Sequence, residues 1–164
     1  MGVIEDKVVL ITGASSGIGE ALAKHLASIG YKKLALVARR EKELNDLAKS
    51  LPSVQVLVLA KDLTKAEDCQ AAIEKTVAKF GRLDVVIGNA GGAKVASVRD
   101  AKLDDWDTTF DINIRANFLL TKYALPHLEK SKGNIVFNST AVGNDFLHLF
   151  SCRVHEFLLR PKAM

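Results

Sequence analysis

The chain has 164 residues, 48% of them hydrophobic and 26% charged, which is the length and balance of one folded domain with a sizeable core rather than a disordered segment. Its net charge of +4 is modest, and the basic residues are scattered along helical stretches without interleaved aromatics, which argues against a nucleic-acid surface. No apolar run is long enough to span a bilayer, the N-terminus lacks the basic and apolar blocks of a signal peptide, and Cys69 and Cys152 make no disulfide framework, so the expected location is the cytoplasm.

Residues 8–11, Val-Val-Leu-Ile, read as a buried strand, and residues 20–26 have helical periodicity. Between them lie Thr12, Gly13, Ala14, Ser15, Ser16, Gly17, Ile18 and Gly19. A glycine turn between a strand and a helix lets backbone pass close to a diphosphate, while the first helical N–H groups and the positive end of the dipole face the anion. The ligand this predicts is a dinucleotide. The spacing of Gly13, Gly17 and Gly19 is wider than the GxGxxG fingerprint, and in this form, TGxxxGIG, it resembles the short-chain dehydrogenase/reductase family.

Ile18, Leu22, Leu26 and Ile29 recur at helical spacing as the expected sheet-facing stripe, and Gly30 caps the helix. Residues 34–38 form the second strand, which runs into Arg39 and Arg40. In NAD sites an acidic residue near this point holds the ribose 2′-hydroxyl, whereas an arginine accommodates a 2′-phosphate. Ala38 stands where NAD-preferring relatives carry Asp, so the resemblance implies NADP, with Arg39 the first candidate and Arg40 the second. Both arginines also suit a plain surface turn.

A helix from Glu41 with Leu44 and Leu47 on one side precedes a third strand over 54–59. Asp62 and Leu63 follow it. The resemblance gives Asp62 the adenine amino group, with the Leu63 backbone beside it, and Asp62 equally suits the N-cap of the next helix. That helix carries Cys69, Ile73, Val77 and Phe80, and Gly81 stops it. The fourth strand, 83–87, ends in Gly88-Asn89-Ala90-Gly91. This is close to the family's NNAG with Gly88 in place of the first Asn, a loop that implies contact of Asn89, Ala90 and Gly91 with the adenosine ribose.

After a polar loop over 93–103, a long helix opens at Asp104 and carries Trp106, Phe110, Ile114, Phe118 and Leu128. Within it Asn113 matches the family asparagine that holds a water in a proton relay, although asparagines in helices also have purely local roles. Residues 133–143 make the fifth strand and its end, and resemble GxIVNISSxxG. By that pattern Thr140 is the catalytic hydroxyl, with Ser139 just before it; turn chemistry is the plainer account of both.

The likeness runs from about Lys7 to Gly143. Where the family has a proton-donating tyrosine and a lysine, this chain has Arg153 and Phe157, and its tyrosines, Tyr31 and Tyr123, lie upstream. The tail over 144–164 has a different character, though Phe146, Phe150, Val154, Phe157 and Leu158 share a helical face.

The expectation is therefore an α/β, Rossmann-type, doubly wound parallel sheet in three layers, of strand order 3-2-1-4-5, truncated after the fifth strand. Residues 1–143 form the NADP-binding domain, and 144–164 a divergent tail. The resemblance implies hydride transfer between NADP(H) and a small carbonyl or alcohol, impaired here by the residues at 153 and 157. The rival expectation is a non-catalytic NADP-binding or dimerisation partner of a full-length relative, pairing through the helix over 105–130, or an unstable product. Metal binding by Cys152, His155 and His148 is not expected.

Overall fold

The computed structural model describes residues 4–94, 97 and 99–139. A turn of 3-10 helix at Ile4–Asp6 leads into β1 (Val8–Thr12), whose five residues are all buried, as an apolar run without polar alternation requires when both sheet faces are covered. The chain then alternates through α1 (Gly17–Ser28), β2 (Lys33–Ala38), α2 (Glu41–Lys49), β3 (Gln55–Ala60), α3 (Ala66–Phe80) and β4 (Val85–Gly88). Next come α4 (Leu103–Phe110), a π-helical segment (Asp111–Arg115), α5 (Ala116–Ser131) and β5 (Asn134–Phe137).

The sheet order is β3-β2-β1-β4-β5 with every neighbouring pair parallel, as expected. Thr12 stands opposite Val37, Ile11 opposite Ile87, and Gly88 opposite Phe137. Successive strand residues feed two separate cores. Val8, Leu10, Ala35 and Val37 pack with Cys69, Ile73, Leu120, Ala124 and Leu128 of α3 and α5. Val9, Ile11, Leu34 and Leu36 pack with Ala23, Leu44 and Leu47 of α1 and α2. The result is three layers, helices on both faces of a parallel sheet, with the direction of winding reversing between β1 and β4.

Two helices differ from the sequence pattern. In α1 the fully buried residues are Gly19 and Ala23, while Ile18 is 61% exposed and Ile29 47% exposed, so the large apolar stripe is only partly the packing face. Close approach requires glycine at position 19: a Cβ there would run into the Gly13 carbonyl, 2.8 Å from its carbon, and fall 2.7 Å from Asn89 Nδ2. The helix expected over 105–130 runs unbroken from Leu103 to Ser131 but is widened by the five-residue π segment, and Phe118 just beyond it is 64% exposed.

At the opposite end of the sheet, Asp84 is buried immediately before β4. Its carboxylate accepts hydrogen bonds from Val8 N at 3.0 Å, Lys7 Nζ at 2.9 Å, and Arg82 Nε and Nη2 at 2.8 and 2.6 Å. Burial by itself would raise its pKa, but the Arg82, Val8 and Lys7 donors together hold it below the ordinary carboxylate value. This clamp joins the starts of β1 and β4.

Candidate functional site

The C-terminal ends of β1, β2 and β4 converge on the turn between Gly13 and Gly19. Gly17 opens α1 at φ +57°, a backbone conformation that an L side chain rarely adopts. Ser16 is the N-cap residue in extended conformation, and its side chain makes no capping hydrogen bond, so the first-turn N–H groups of α1 are left for another acceptor. This backbone, free of bulk at Gly13, Gly17 and Gly19, fits a diphosphate. Ser15, Ser16 and Ile18 surround it, the last two exposed.

Arg40 is laid across this turn. Its Nη2 donates to Ser16 Oγ at 2.7 Å, Ser15 Oγ at 3.0 Å and the Ser15 carbonyl at 3.2 Å, and its Nε lies 3.3 Å from Ser15 Oγ. Glu43 is 3.8 Å from Nη1, an exposed pairing of little energetic weight. Arg39, placed first on sequence, is exposed and has no hydrogen bond or ion pair with a described residue. Of the two candidates it is Arg40, one residue further past β2, that turns back over the glycine loop.

The second glycine loop is tied to the first by Thr12 and Asn89. Thr12 is fully buried, and its Oγ1 accepts from Asn89 N and Ala90 N, both at 2.9 Å, while donating to the Ile87 carbonyl at 3.3 Å. Asn89 Nδ2 donates to the Thr12 carbonyl at 3.1 Å and the Gly13 carbonyl at 3.5 Å. Its Oδ1 accepts from Asn138 Nδ2 at 2.9 Å. Asn138 did not stand out in the sequence, because its role depends on a residue 49 positions away.

Asn113 lies in the π segment, facing Gly91 and Gly92. Its Nδ2 donates to the Gly92 carbonyl at 2.6 Å and the Thr109 carbonyl at 2.8 Å, and its Oδ1 accepts from Gly92 N at 3.3 Å. A Cβ on Gly91 would lie 2.7 Å from that Oδ1. The side-chain amide is thus a clamp on the second glycine loop. Its backbone carbonyl accepts from Asn117 Nδ2 at 2.8 Å.

These bonds belong to a longer column in which each side chain donates to the carbonyl four residues back. Thr109 bonds Asp105, Asn113 bonds Thr109, Asn117 bonds Asn113 and Thr121 bonds Asn117. At its start, Asp105 pairs with Lys94 at 2.5 Å, which raises the lysine's pKa through that hydrogen bond and charge.

Asp62 is not an N-cap. The N-cap of α3 is Lys65, and Asp62 Oδ1 instead accepts from Thr64 N at 3.2 Å and Thr64 Oγ1 at 2.9 Å, a local Asx turn formed because the helix starts four residues later. The Asp62 N–H donates to Asp68 Oδ2, and Lys61 pairs with Asp68 at 2.6 Å. Those hydrogen bonds, Lys61 first, lower the Asp68 pKa. Leu63 is a core residue whose carbonyl accepts the Cys69 thiol at 3.2 Å. Burial pushes that thiol up to about 11, so Cys69 is structural. Ser139 is exposed just past β5, and Thr140 and the tail over 144–164 lie outside the described residues. Among the described residues no group of His, Cys, Asp and Glu is placed to hold a metal, and no helix is long and apolar enough to cross a membrane.

Residues 7–152 match the family model described as short chain dehydrogenase, nine residues beyond the point where the sequence likeness was expected to stop. An Arabidopsis thaliana 11-beta-hydroxysteroid dehydrogenase-like 2 is 44% identical over 142 residues, covering 84% of this chain and 46% of that protein. An 11-beta-hydroxysteroid dehydrogenase A of Sesamum indicum is 41% identical, with 84% and 40% covered. The chain thus spans about half the length of the curated relatives it matches. Among solved structures, L-sorbose reductase from Gluconobacter frateurii complexed with NADPH and L-sorbose superposes with a TM-score of 0.80 at 32% identity, covering 84% of this chain and 54% of that one. A metagenomic short-chain oxidoreductase in complex with NADP gives 0.81 at 29% identity, with 88% and 67% covered.

Proposed function

This chain belongs to the short chain dehydrogenase family, and from that premise we propose that it holds NADP(H) across the carboxyl ends of β1, β2 and β4. The diphosphate lies against Gly13, Gly17, Ile18 and Gly19, where the unpaired N–H groups and dipole of α1 meet it. The 2′-phosphate lies at Ser15, Ser16 and Arg40, with Arg39 beside them. The observation that carries NADP over NAD is the Arg40 fork, within 3.0 Å of both serine hydroxyls, at the end of a strand that closes on Ala38 rather than on a carboxylate. Asp62 Oδ1 is taken by Thr64, so Oδ2 is the oxygen assigned to the adenine amino group, with Leu63 alongside. Asn89, Ala90 and Gly91 border the adenosine ribose.

The bound nicotinamide supplies hydride exchange with a carbonyl or alcohol carbon. The chain's own part is positioning by Asn113 and hydrogen bonding to the substrate oxygen by Thr140 and Ser139. At the places of the family's proton-donating tyrosine and its lysine the sequence reads Arg153 and Phe157; one stays protonated near neutral pH and the other has no exchangeable side-chain proton. Cofactor binding with impaired turnover is the consequence.

Calorimetric titration with NADPH and NADH, followed by assays on a panel of carbonyl compounds, tests this. Saturable binding that favours NADPH, without turnover, is expected. Turnover that Asn113→Ala or Thr140→Ala abolishes overturns the impairment, and no binding by folded protein overturns the cofactor reading.

A second reading rests on Leu103, Trp106 and Phe118, which are 80%, 37% and 64% exposed along α4 and α5. Exposed apolar side chains of this size suit pairing with a second copy or a full-length relative, and the chain then acts as a non-catalytic partner. Sedimentation of the wild type against Phe118→Glu distinguishes it: a shift from dimer to monomer supports pairing, and an unchanged monomer overturns it.

A further inference from the structure

Asn89 sits where the two glycine loops meet, and the orientation of its amide decides whether they fit. The carbonyls of Thr12 and Gly13 can only accept, so they require Nδ2 on their side. An amide turned by 180° would set Oδ1 against those carbonyls. On the opposite side, Asn138 Nδ2 donates to Asn89 Oδ1 at 2.9 Å, which makes the turned orientation doubly unfavourable by opposing two NH2 groups.

Asn138 is itself fixed. Its backbone N–H donates to the Gly88 carbonyl at 2.9 Å, one step beyond the last paired residues of β4 and β5. That backbone bond sets its side chain beside Asn89, and it immediately precedes Ser139 and Thr140. Asn89 Nδ2 in turn lies 3.0 Å from where a Cβ on Gly13 would stand and 2.7 Å from one on Gly19. Asn89 is thus packed against both glycines and bonded to the Gly13 carbonyl of the first turn.

We propose that Asn138 is a positioning residue for the nucleotide site: it acts through Asn89 to set the glycine turn, and it couples that turn to the end of β5. The coupling to affinity rests on the NADP(H) reading above. The effect on Asn89 does not. Asn138→Asp keeps the shape but removes the donor and opposes a carboxylate to Asn89 Oδ1; Asn138→Leu removes the donor alone.

Two measurements on the 15N-labelled full chain test this. First, the Asn89 side-chain amide resonances and the backbone amides of Gly13 and Gly19 shift in Asn138→Asp, less in Asn138→Leu, and the Asn89 amide protons exchange faster. Second, NADPH affinity measured by calorimetry on the folded variants falls in the order wild type, Asn138→Leu, Asn138→Asp, by about two- to tenfold, the range a net neutral hydrogen bond supplies. Unshifted Asn89 and glycine resonances overturn the positioning role. Shifted resonances with unchanged NADPH affinity overturn the coupling to the nucleotide. A wild-type protein that does not bind NADPH, with the resonances shifted in the variants, supports the positioning of Asn89 and counts against the cofactor reading instead.

Discussion

A Cβ placed on Gly88 would lie 2.5 Å from Phe137 Cδ1 and 2.6 Å from Asn117 Oδ1. Gly88 is the one departure of this loop from the NNAG pattern, and the pairing of Gly88 with Phe137 across β4 and β5 accounts for it: the aromatic ring and the Asn117 amide fill the space a side chain would need. Restoring the family residue here is therefore a destabilising change. Gly88→Asn is expected to cost about 1–3 kcal/mol in urea unfolding, the range for overpacking, and Gly88→Asn with Phe137→Ala to recover part of it. Equal stability of Gly88→Asn and wild type would refute the steric account.

Arg40 is the arginine to remove for the 2′-phosphate. Hydrogen bonds to charged groups contribute roughly 1.5–3 kcal/mol when well made, and exposure lowers that, so Arg40→Ala is expected to weaken NADPH binding about tenfold. Arg39→Ala should weaken it less, and NADH binding should change little in either. Calorimetry reads all four values, and a larger loss in Arg39→Ala would restore the order suggested by sequence.

Asp84 makes stability depend on acid. Its folded pKa lies below the unfolded value of about 3.9, so its contribution is fully present above that pH and is lost as pH falls through the folded pKa. Asp84→Asn is expected to lose on the order of 2–3 kcal/mol at neutral pH and to have a shallower decline in stability as pH falls below about 4. Chemical unfolding at stepped pH measures both.

Cys69 should be inert. With its thiol pushed up to about 11 by burial, a Cys152→Ser protein is expected to react with a thiol reagent at pH 8 only at the rate of unfolding. Labelling within seconds under native conditions would contradict the burial.

The order of the sheet was legible because each strand is a continuous apolar run and two of them end in glycine motifs, local signals that survive without knowing the fold. The Arg40 bridge and the Asx turn at Asp62 were half-legible: the residues were named, but the choice between neighbours depends on which way a loop turns. Asp84 and Asn138 were not legible at all. Asp84 bonds Val8 from 76 positions away and Asn138 bonds Asn89 from 49, and no window of sequence contains both partners. The α1 stripe misled for a related reason, since Gly19 is required by how near the Gly13 backbone lies, which hydrophobic periodicity does not record.

The π segment between α4 and α5 also sets angular phase. Each residue advances an α-helix by about 100°, so a locally widened turn rotates everything after it relative to what precedes it. Upstream, the Trp106 ring stacks on Phe110 at 4.4 Å; downstream, Leu120, Ala124 and Leu128 point into the core against α3. Shortening the chain by one residue between Asp111 and Arg115 would yield a more regular helix but would break the four-residue spacing by which Asn113 reaches the Thr109 carbonyl or Asn117 reaches that of Asn113.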